Sequence, residues 1–173
     1  MLNFEFTNEQ EQFRKILRDF AKEELLPNYT KWDREGITPR HLWKKFGELG
    51  VTGLRIPEEY GGVGADCITT GIAAEEIGRG DFNLTYAVML NGLIGEILSQ
   101  HASEELKKHW LPQIASGEKI IGIAITEPSA GTDAGGIQST AVRMGEEYIL
   151  NGEKSGISVA TCGDAFIVFA KTD

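Results

Sequence analysis

Basic residues are scarce in this sequence: 17 Lys and Arg stand against 26 Asp and Glu, a formal net charge of −9 over 173 residues. Phosphate backbones are held by clustered cations, so this balance argues against a nucleic-acid binder and equally against attachment to an anionic membrane surface. Cysteine is rarer still. Cys67 and Cys162 make neither a disulfide framework nor a metal box, and they point to free thiols in a reducing compartment. The histidines His41, His101 and His109 are scattered without metal-ligand spacing and read as surface residues. Long hydrophobic runs are also missing. The start, Met1-Leu2-Asn3-Phe4-Glu5, has no basic region followed by an apolar one, so no signal peptide is expected. The most apolar stretch, Phe82 to Leu98, is interrupted by Asn83, Thr85, Asn91 and Glu96 and reads as a buried helix rather than a membrane span.

What the chain does have is glycine, 21 residues of it, which promises tight turns or backbone-lined sites. Up to about residue 117 the apolar residues recur at helical spacing. Thr7 with Gln10 makes a capping box ahead of Phe13, Ile16, Leu17 and Phe20, predicting a helix from about Asn8 to Leu26 that stops at Pro27. Thr38-Pro39 predicts an N-cap with Pro at the first helical position, before the stripe Leu42, Phe46, Leu49. A loop follows from Ile56 to Gly64, then a helix from Ile68 to Gly78 carrying Glu75-Glu76, read as a solvated face. Asp81 caps the next helix to about His101, and Ser103 caps one with Leu106, Trp110 and Ile114 along a side.

After Gly117 the period changes. Ile120 to Ile125, Ile137 to Arg143, Tyr148 to Leu150, Ile157 to Ala160 and Ala165 to Ala170 are short β-branched runs, predicted as strands, with Asn151-Gly152 as the strongest hairpin signal. Helices first and strands afterwards argue for an α+β chain: a helical domain over 1–117 and a β domain over 118–173, against a βαβ nucleotide fold. The β part is short and ends abruptly at Lys171-Thr172-Asp173, which reads as a truncated domain.

The most specific stretch runs Ala124-Ile125-Thr126-Glu127-Pro128-Ser129-Ala130-Gly131-Thr132-Asp133-Ala134-Gly135-Gly136. A strand delivers one hydroxyl, Thr126, and opens into a Gly-rich loop with a second, Thr132. N–H groups freed by glycines suit a close anion. The stretch lacks the Lys of a P-loop, and a strand rather than a helix follows it, so it is no dinucleotide fingerprint. From the residues alone, a structural turn and a cofactor loop both stay open.

This stretch resembles the signature of the flavoprotein acyl-CoA dehydrogenases. Four further segments agree with that family in order: Pro57 to Gly64; Ala74 to Asp81; Trp110-Leu111-Pro112 leading to Ser116-Gly117-Glu118; and Leu150-Asn151-Gly152-Glu153-Lys154. The resemblance spans essentially the whole chain. It implies an N-terminal helical domain followed by the first part of an antiparallel β-barrel domain, with a C-terminal helical bundle absent. It implies FAD as cofactor and oxidation of an acyl-CoA thioester to the 2,3-enoyl-CoA. It further implies an electron-transfer flavoprotein or similar acceptor, a homo-oligomer at full length, and a cytoplasmic location, or the mitochondrial matrix in a eukaryote. Carried over, Ile125 and Thr126 meet the pyrimidine side of the flavin, Gly131 and Thr132 lie near FAD and the acyl-CoA, and Gly156, Ile157 and Ser158 approach the ring near N5. The base that takes the α-proton lies, in that family, in the C-terminal bundle, so Glu127 is read as structural, holding the loop through backbone amides. The helix from Phe82 to His101 resembles the one bordering the acyl cavity, with Thr85, Met89 and Asn91 as candidates for shaping it beside plain core packing.

One departure stands out. The family pattern after Asn-Gly-x-Lys places an aromatic where Gly156 stands and Asn where Val159 stands. The missing aromatic leaves one flavin face uncovered and favours a second reading, a non-catalytic binding or regulatory module derived from the family. Within the family, an oxidase or a dehydrogenase making a cyclic or 1,4-type elimination also stays open.

Overall fold

Thr7 begins the first helix by the reciprocal cap its sequence predicts: Gln10 N–H donates to Thr7 Oγ1 at 3.2 Å, and Thr7 N–H donates to Gln10 Oε1 at 3.0 Å. In the computed structural model, which describes residues 5–172, α1 runs Asn8–Phe20 and continues into a π-helical turn, Ala21–Leu25. Then follow α2 (Tyr29–Glu35), α3 (His41–Glu48), α4 (Cys67–Gly80), α5 (Tyr86–His101) and α6 (Glu104–Ala115). Asp66, Asp81 and Ser103 accept backbone N–H groups from Thr69, Asn83 and Leu106, which fixes where α4, the 3₁₀ turn Phe82–Thr85 ahead of α5, and α6 begin.

Contacts divide the chain into two compact units, one ending at Lys119 and the next starting at Ile120. The first unit closes around Leu17, Phe46, Ile56, Ile77, Ile94 and Ile114, all at 0% exposure. Phe20 and Phe46 meet edge to face at 5.7 Å between ring centres. No helix among the described residues is long and apolar enough to cross a membrane.

Several expectations are corrected here. Thr38 caps nothing: α3 starts at His41, with Arg40 in the cap position and Pro39 ahead of it. Ile16 and Leu106 face solvent, because the buried line of α1 passes through Leu17 and that of α6 through Leu111 and Ile114. The stretch around α5 is buried on one side only: Phe82, Tyr86, Met89 and Leu93 form an exposed apolar stripe. Glu76 is not on a solvated face. It is fully buried and receives Arg14 Nε at 3.0 Å, Arg18 Nη2 at 2.6 Å and Arg79 Nε at 3.2 Å, whereas Glu75 stays exposed and pairs with Arg79. The Arg18 hydrogen bond is the main reason the Glu76 carboxyl titrates below its ordinary range.

The second unit holds β1 (Ile121–Ala124), β2 (Thr140–Met144), β3 (Glu147–Asn151) and β4 (Ala165–Val168). β1 pairs with β4 in parallel, Ile121 opposite Ala165 and Ala124 opposite Val168. β2 pairs with β3 antiparallel, Thr140 opposite Asn151 and Met144 opposite Glu147. The expected antiparallel barrel is therefore corrected: the described residues form two two-stranded sheets, one of them parallel, with no closed barrel. The hairpin turn is Gly145-Glu146, not Asn151-Gly152. Gly145 takes φ +68°, as a two-residue turn led by glycine demands, while Asn151 is the last residue of β3. Ile157 to Ala160 is no strand either. It forms turns, with Gly163 N–H donating to the Val159 carbonyl at 2.7 Å. A 3₁₀ turn, Ala134–Gly136, interrupts the otherwise strand-only region.

Candidate functional site

β1 delivers Ile125 and Thr126 to the loop that follows it, and that loop is held from beneath. Glu127 and Ala130 exchange backbone hydrogen bonds at 2.9 and 3.2 Å across Pro128-Ser129, closing a tight turn. The Glu127 carboxylate, 6% exposed, accepts the N–H of Gln138 at 2.6 Å and of Ser139 at 2.9 Å. Lys154 Nζ lies 2.8 Å from Glu127 Oε1 and donates to the Ile125 carbonyl at 2.8 Å. Ser155 N–H donates to the Thr126 carbonyl at 3.0 Å. A carboxylate with this many donors stays ionised: Lys154 foremost, then Ser139 and Gln138, bring the Glu127 pKa down to about 2. With its oxygens taken by Gln138 N–H, Ser139 N–H and Lys154 Nζ, Glu127 is a weak base that holds the loop through backbone amides, the role read for it from sequence. Lys154 as its partner was not foreseen. The only signal was indirect, a Glu inside an apolar turn that requires a cation.

The clamp leaves the neighbouring hydroxyls available. Thr126 and Thr132 are exposed and Ser158 is half-buried. Among the described residues none of the three hydroxyls has a hydrogen-bond partner within the chain. Ile125 and Thr126 are brought beside Ser155-Gly156 by the Lys154 and Ser155 bonds. The Ser158 carbonyl lies close against Gly122 of β1, 3.3 Å from where a Cβ would stand. Ile157 is half-buried. Gly131 and Thr132 sit further along the loop, exposed, with no hydrogen bond to the Gly156–Ser158 segment. Gly156 has φ +62° and nothing within 4 Å of where its side chain would begin. The space is open, and the backbone is one that an aromatic residue rarely adopts.

A cleft of about 460 Å³ on this unit, lined by Glu127, Ser129, Gln138, Ser139, Asn151 and Gly152 among others, includes none of the candidate residues. In the helical unit, a cavity of about 330 Å³ takes Met89 from the three residues proposed to shape an acyl pocket, together with Arg55, Cys67, Thr70, Leu93 and Glu96. Asn91 is buried in the core, and Thr85 is tied to the Phe82 carbonyl. His41, His101 and His109 are exposed, and neither cysteine is in a disulfide.

The geometry is that of a rigid loop presenting unpaired hydroxyls, and comparison with known proteins says which family builds it. The family model described as acyl-CoA dehydrogenase, N-terminal domain, matches residues 7–118, and the one described as acyl-CoA dehydrogenase, middle domain, matches residues 122–173. The chain belongs to the acyl-CoA dehydrogenase family. A probable acyl-CoA dehydrogenase of Bacillus subtilis is 42% identical over 99% of this chain and 45% of its own length. The structure of a glutaryl-coenzyme A dehydrogenase in complex with glutaryl-CoA superposes with a TM-score of 0.93 at 36% identity, covering 99% of this chain and 45% of that one. A glutaryl-CoA dehydrogenase from Mycobacterium smegmatis in complex with FADH2 gives 0.93 at 32% identity, covering 97% and 44%. The chain thus spans about half the length of the acyl-CoA dehydrogenases it matches. Members of the family are flavoprotein oxidoreductases, and their cofactor is FAD.

The residues present fit such a cofactor. A flavin dinucleotide offers acceptors in its ring carbonyls, N1, N5 and pyrophosphate oxygens, and a donor in N3–H, and a hydroxyl can meet either kind. The loop after β1 offers the Thr126 and Thr132 hydroxyls and the turn after β3 that of Ser158, each lacking a partner among the described residues, and Glu127 and Lys154 fix the loop's backbone.

Proposed function

We propose that this chain supplies flavin contacts and part of the acyl pocket of an FAD-dependent enzyme that oxidises an acyl-CoA thioester to its 2,3-enoyl-CoA. The observation that carries the reading is the loop from Thr126 to Thr132, clamped by Glu127 and Lys154 and left with unpaired hydroxyls, in a chain that the two family models cover almost end to end. When bound, FAD supplies the ring that accepts a hydride from the β-carbon. The chain's own residues bind and orient. Thr126 and Ser158 are assigned to the ring edge, with Ile125 and Ile157 as apolar neighbours and Gly156 leaving room. Thr132, beside Gly131, is assigned to the region shared by cofactor and substrate. Fixed donors of this kind require no rearrangement as charge develops, and that is how they lower a barrier. Glu127, a weakened base whose oxygens are engaged by Gln138, Ser139 and Lys154, is assigned no proton from substrate. The base is assigned to a region of the longer enzyme outside these 173 residues. An electron-transfer flavoprotein is the acceptor that the reading implies, and a homo-oligomer its assembly.

The second reading, a binding or regulatory module without chemistry, is favoured by Gly156, whose open, left-handed backbone replaces an aromatic of the family pattern. A form extended to the length of the relatives separates the two. The enzyme reading expects a yellow protein that bleaches on adding an acyl-CoA. A colourless protein, or a yellow one indifferent to every acyl-CoA tried, overturns it.

A further inference from the structure

Cys67 and Thr70 stand three apart on α4, and Met89, Gly92, Leu93 and Glu96 fall at i, i+3, i+4 and i+7 on α5. Each helix thus turns one face to the cavity of about 330 Å³, and its whole lining belongs to the first unit. Gly92 brings no side chain, and the stem of Arg55 lies across it, with Cγ 3.3 Å from where a Cβ would stand. Met89 and Leu93, 65% and 52% exposed, supply apolar surface, and Tyr86 carries that surface one turn further back along α5.

The charges in this lining are already matched. Arg55 Nη1 donates to the Ala65 carbonyl at 2.6 Å, and Nη2 donates to Glu96 Oε2 at 3.1 Å. The other Glu96 oxygen accepts from Gln100 Nε2. A carboxylate entering here loses its water and meets a guanidinium that Glu96 has neutralised, which is costly. A hydrocarbon group loses nothing of the kind and gains contact with Met89, whose flexible thioether adapts to shape. We propose that this cavity receives the far end of the acyl group, so that the substrate is an acyl-CoA with an uncharged, apolar tail of medium or greater length. The proposal rests on the reading of the chain as part of an acyl-CoA-oxidising enzyme. It adds to that reading the walls formed by α4 and by the Arg55–Glu96 pair, and the class of tail they accept. From Met89 to Glu96 the face runs about 10 Å along the helix. Each methylene buried there is worth about fourfold in binding.

The test uses the form extended to the relatives' length. kcat/KM is measured for butyryl-CoA, octanoyl-CoA and octanedioyl-CoA, the last equal to octanoyl in length but ending in a carboxylate. Octanoyl-CoA should exceed each of the others by more than about tenfold. Thr70→Trp puts an indole into the cavity and should cut the octanoyl-to-butyryl ratio by more than about tenfold. A second readout needs no turnover. In a Cys162→Ser background, octanoyl-CoA should slow the alkylation of Cys67 by iodoacetamide, followed by mass spectrometry, and butyryl-CoA should not. The labelling decides the matter if the tryptophan variant misfolds. A preference for butyryl- or octanedioyl-CoA overturns the proposal and leaves the enzyme reading in place. So does a ratio unchanged by Thr70→Trp, or Cys67 labelled equally fast with and without octanoyl-CoA. A protein that oxidises no acyl-CoA overturns the enzyme reading, and this inference with it.

Discussion

Val159 has a φ of +58°, in the left-handed region that glycine and asparagine enter readily and a β-branched residue does not. The Cβ–carbonyl clash there costs about 1–2 kcal/mol. The Asn of the family pattern now has a physical reason: its short side chain bonds locally and tolerates this backbone. Val159→Asn is therefore expected to stabilise the chain by about 1 kcal/mol in urea unfolding. An unchanged midpoint means the turn relaxes around valine. Gly156, at φ +62°, imposes the converse. Gly156→Trp restores the family's aromatic on a backbone unsuited to it and should lower stability by about 1–2 kcal/mol, read from the same unfolding curve. Strain on this scale at Val159, three residues from Gly156, is the kind that gathers at ligand sites. Thr132 is tested by binding: in a form extended to the relatives' length, Thr132→Val should weaken FAD or acyl-CoA by about 1.5–3 kcal/mol, the worth of a hydrogen bond to a charged group. Titration calorimetry with unchanged affinity for both ligands removes Thr132 from the site.

The elements show which parts of the fold could be read in advance. Caps at Thr7, Asp81 and Ser103 were legible because a cap is decided within three residues of itself. Strand signals fared worse. Ile157 to Ala160 has the composition of a strand, but Gly156 before it and the left-handed Val159 within it turn the chain, and β-propensity yields to context of that kind. Asn151-Gly152 carries a hairpin signature, yet Gly145-Glu146 lies between the two runs that actually pair. Ion pairs between distant elements were not legible at all. Arg14 and Arg18 on α1 reach Glu76 on α4 across about sixty residues, and only the packed helices show which of the neighbouring carboxylates, Glu75 or Glu76, turns inward. Glu76→Gln keeps the shape and removes the charge, depriving Arg18 of its carboxylate while Arg14 keeps Glu11 and Arg79 keeps Glu75, with an expected loss of about 1–3 kcal/mol in urea. Arg14→Gln should cost less, since Arg18 and Arg79 remain on the carboxylate.

Over the whole molecule, five motifs in a fixed order carried the family, and the candidate loop from Thr126 to Thr132 came with them. The Glu127–Lys154 clamp beneath that loop did not, because its partners lie 27 residues apart on segments whose meeting no local pattern announces. Each unit thus holds a buried carboxylate kept ionised by cations, Glu76 in the first and Glu127 in the second. Both have folded-state pKa values below the ordinary 4.5, so the folded form binds fewer protons than the unfolded form in acid. Their contribution to stability is complete above that ordinary value and is lost as pH falls through it, for Glu127 down to about 2. Lys154→Met tests this, because Lys154 is the largest cause of the Glu127 shift. Without it the folded pKa moves back toward 4.5, and the variant's stability depends less on pH. Thermal melts of both proteins at steps between neutral pH and pH 2 should then show the variant less stable near neutrality and the gap narrowing as the medium is acidified below the ordinary carboxylate range. A gap that stays constant across the series means that Lys154 acts through packing and its bond to the Ile125 carbonyl, not through the charge of Glu127.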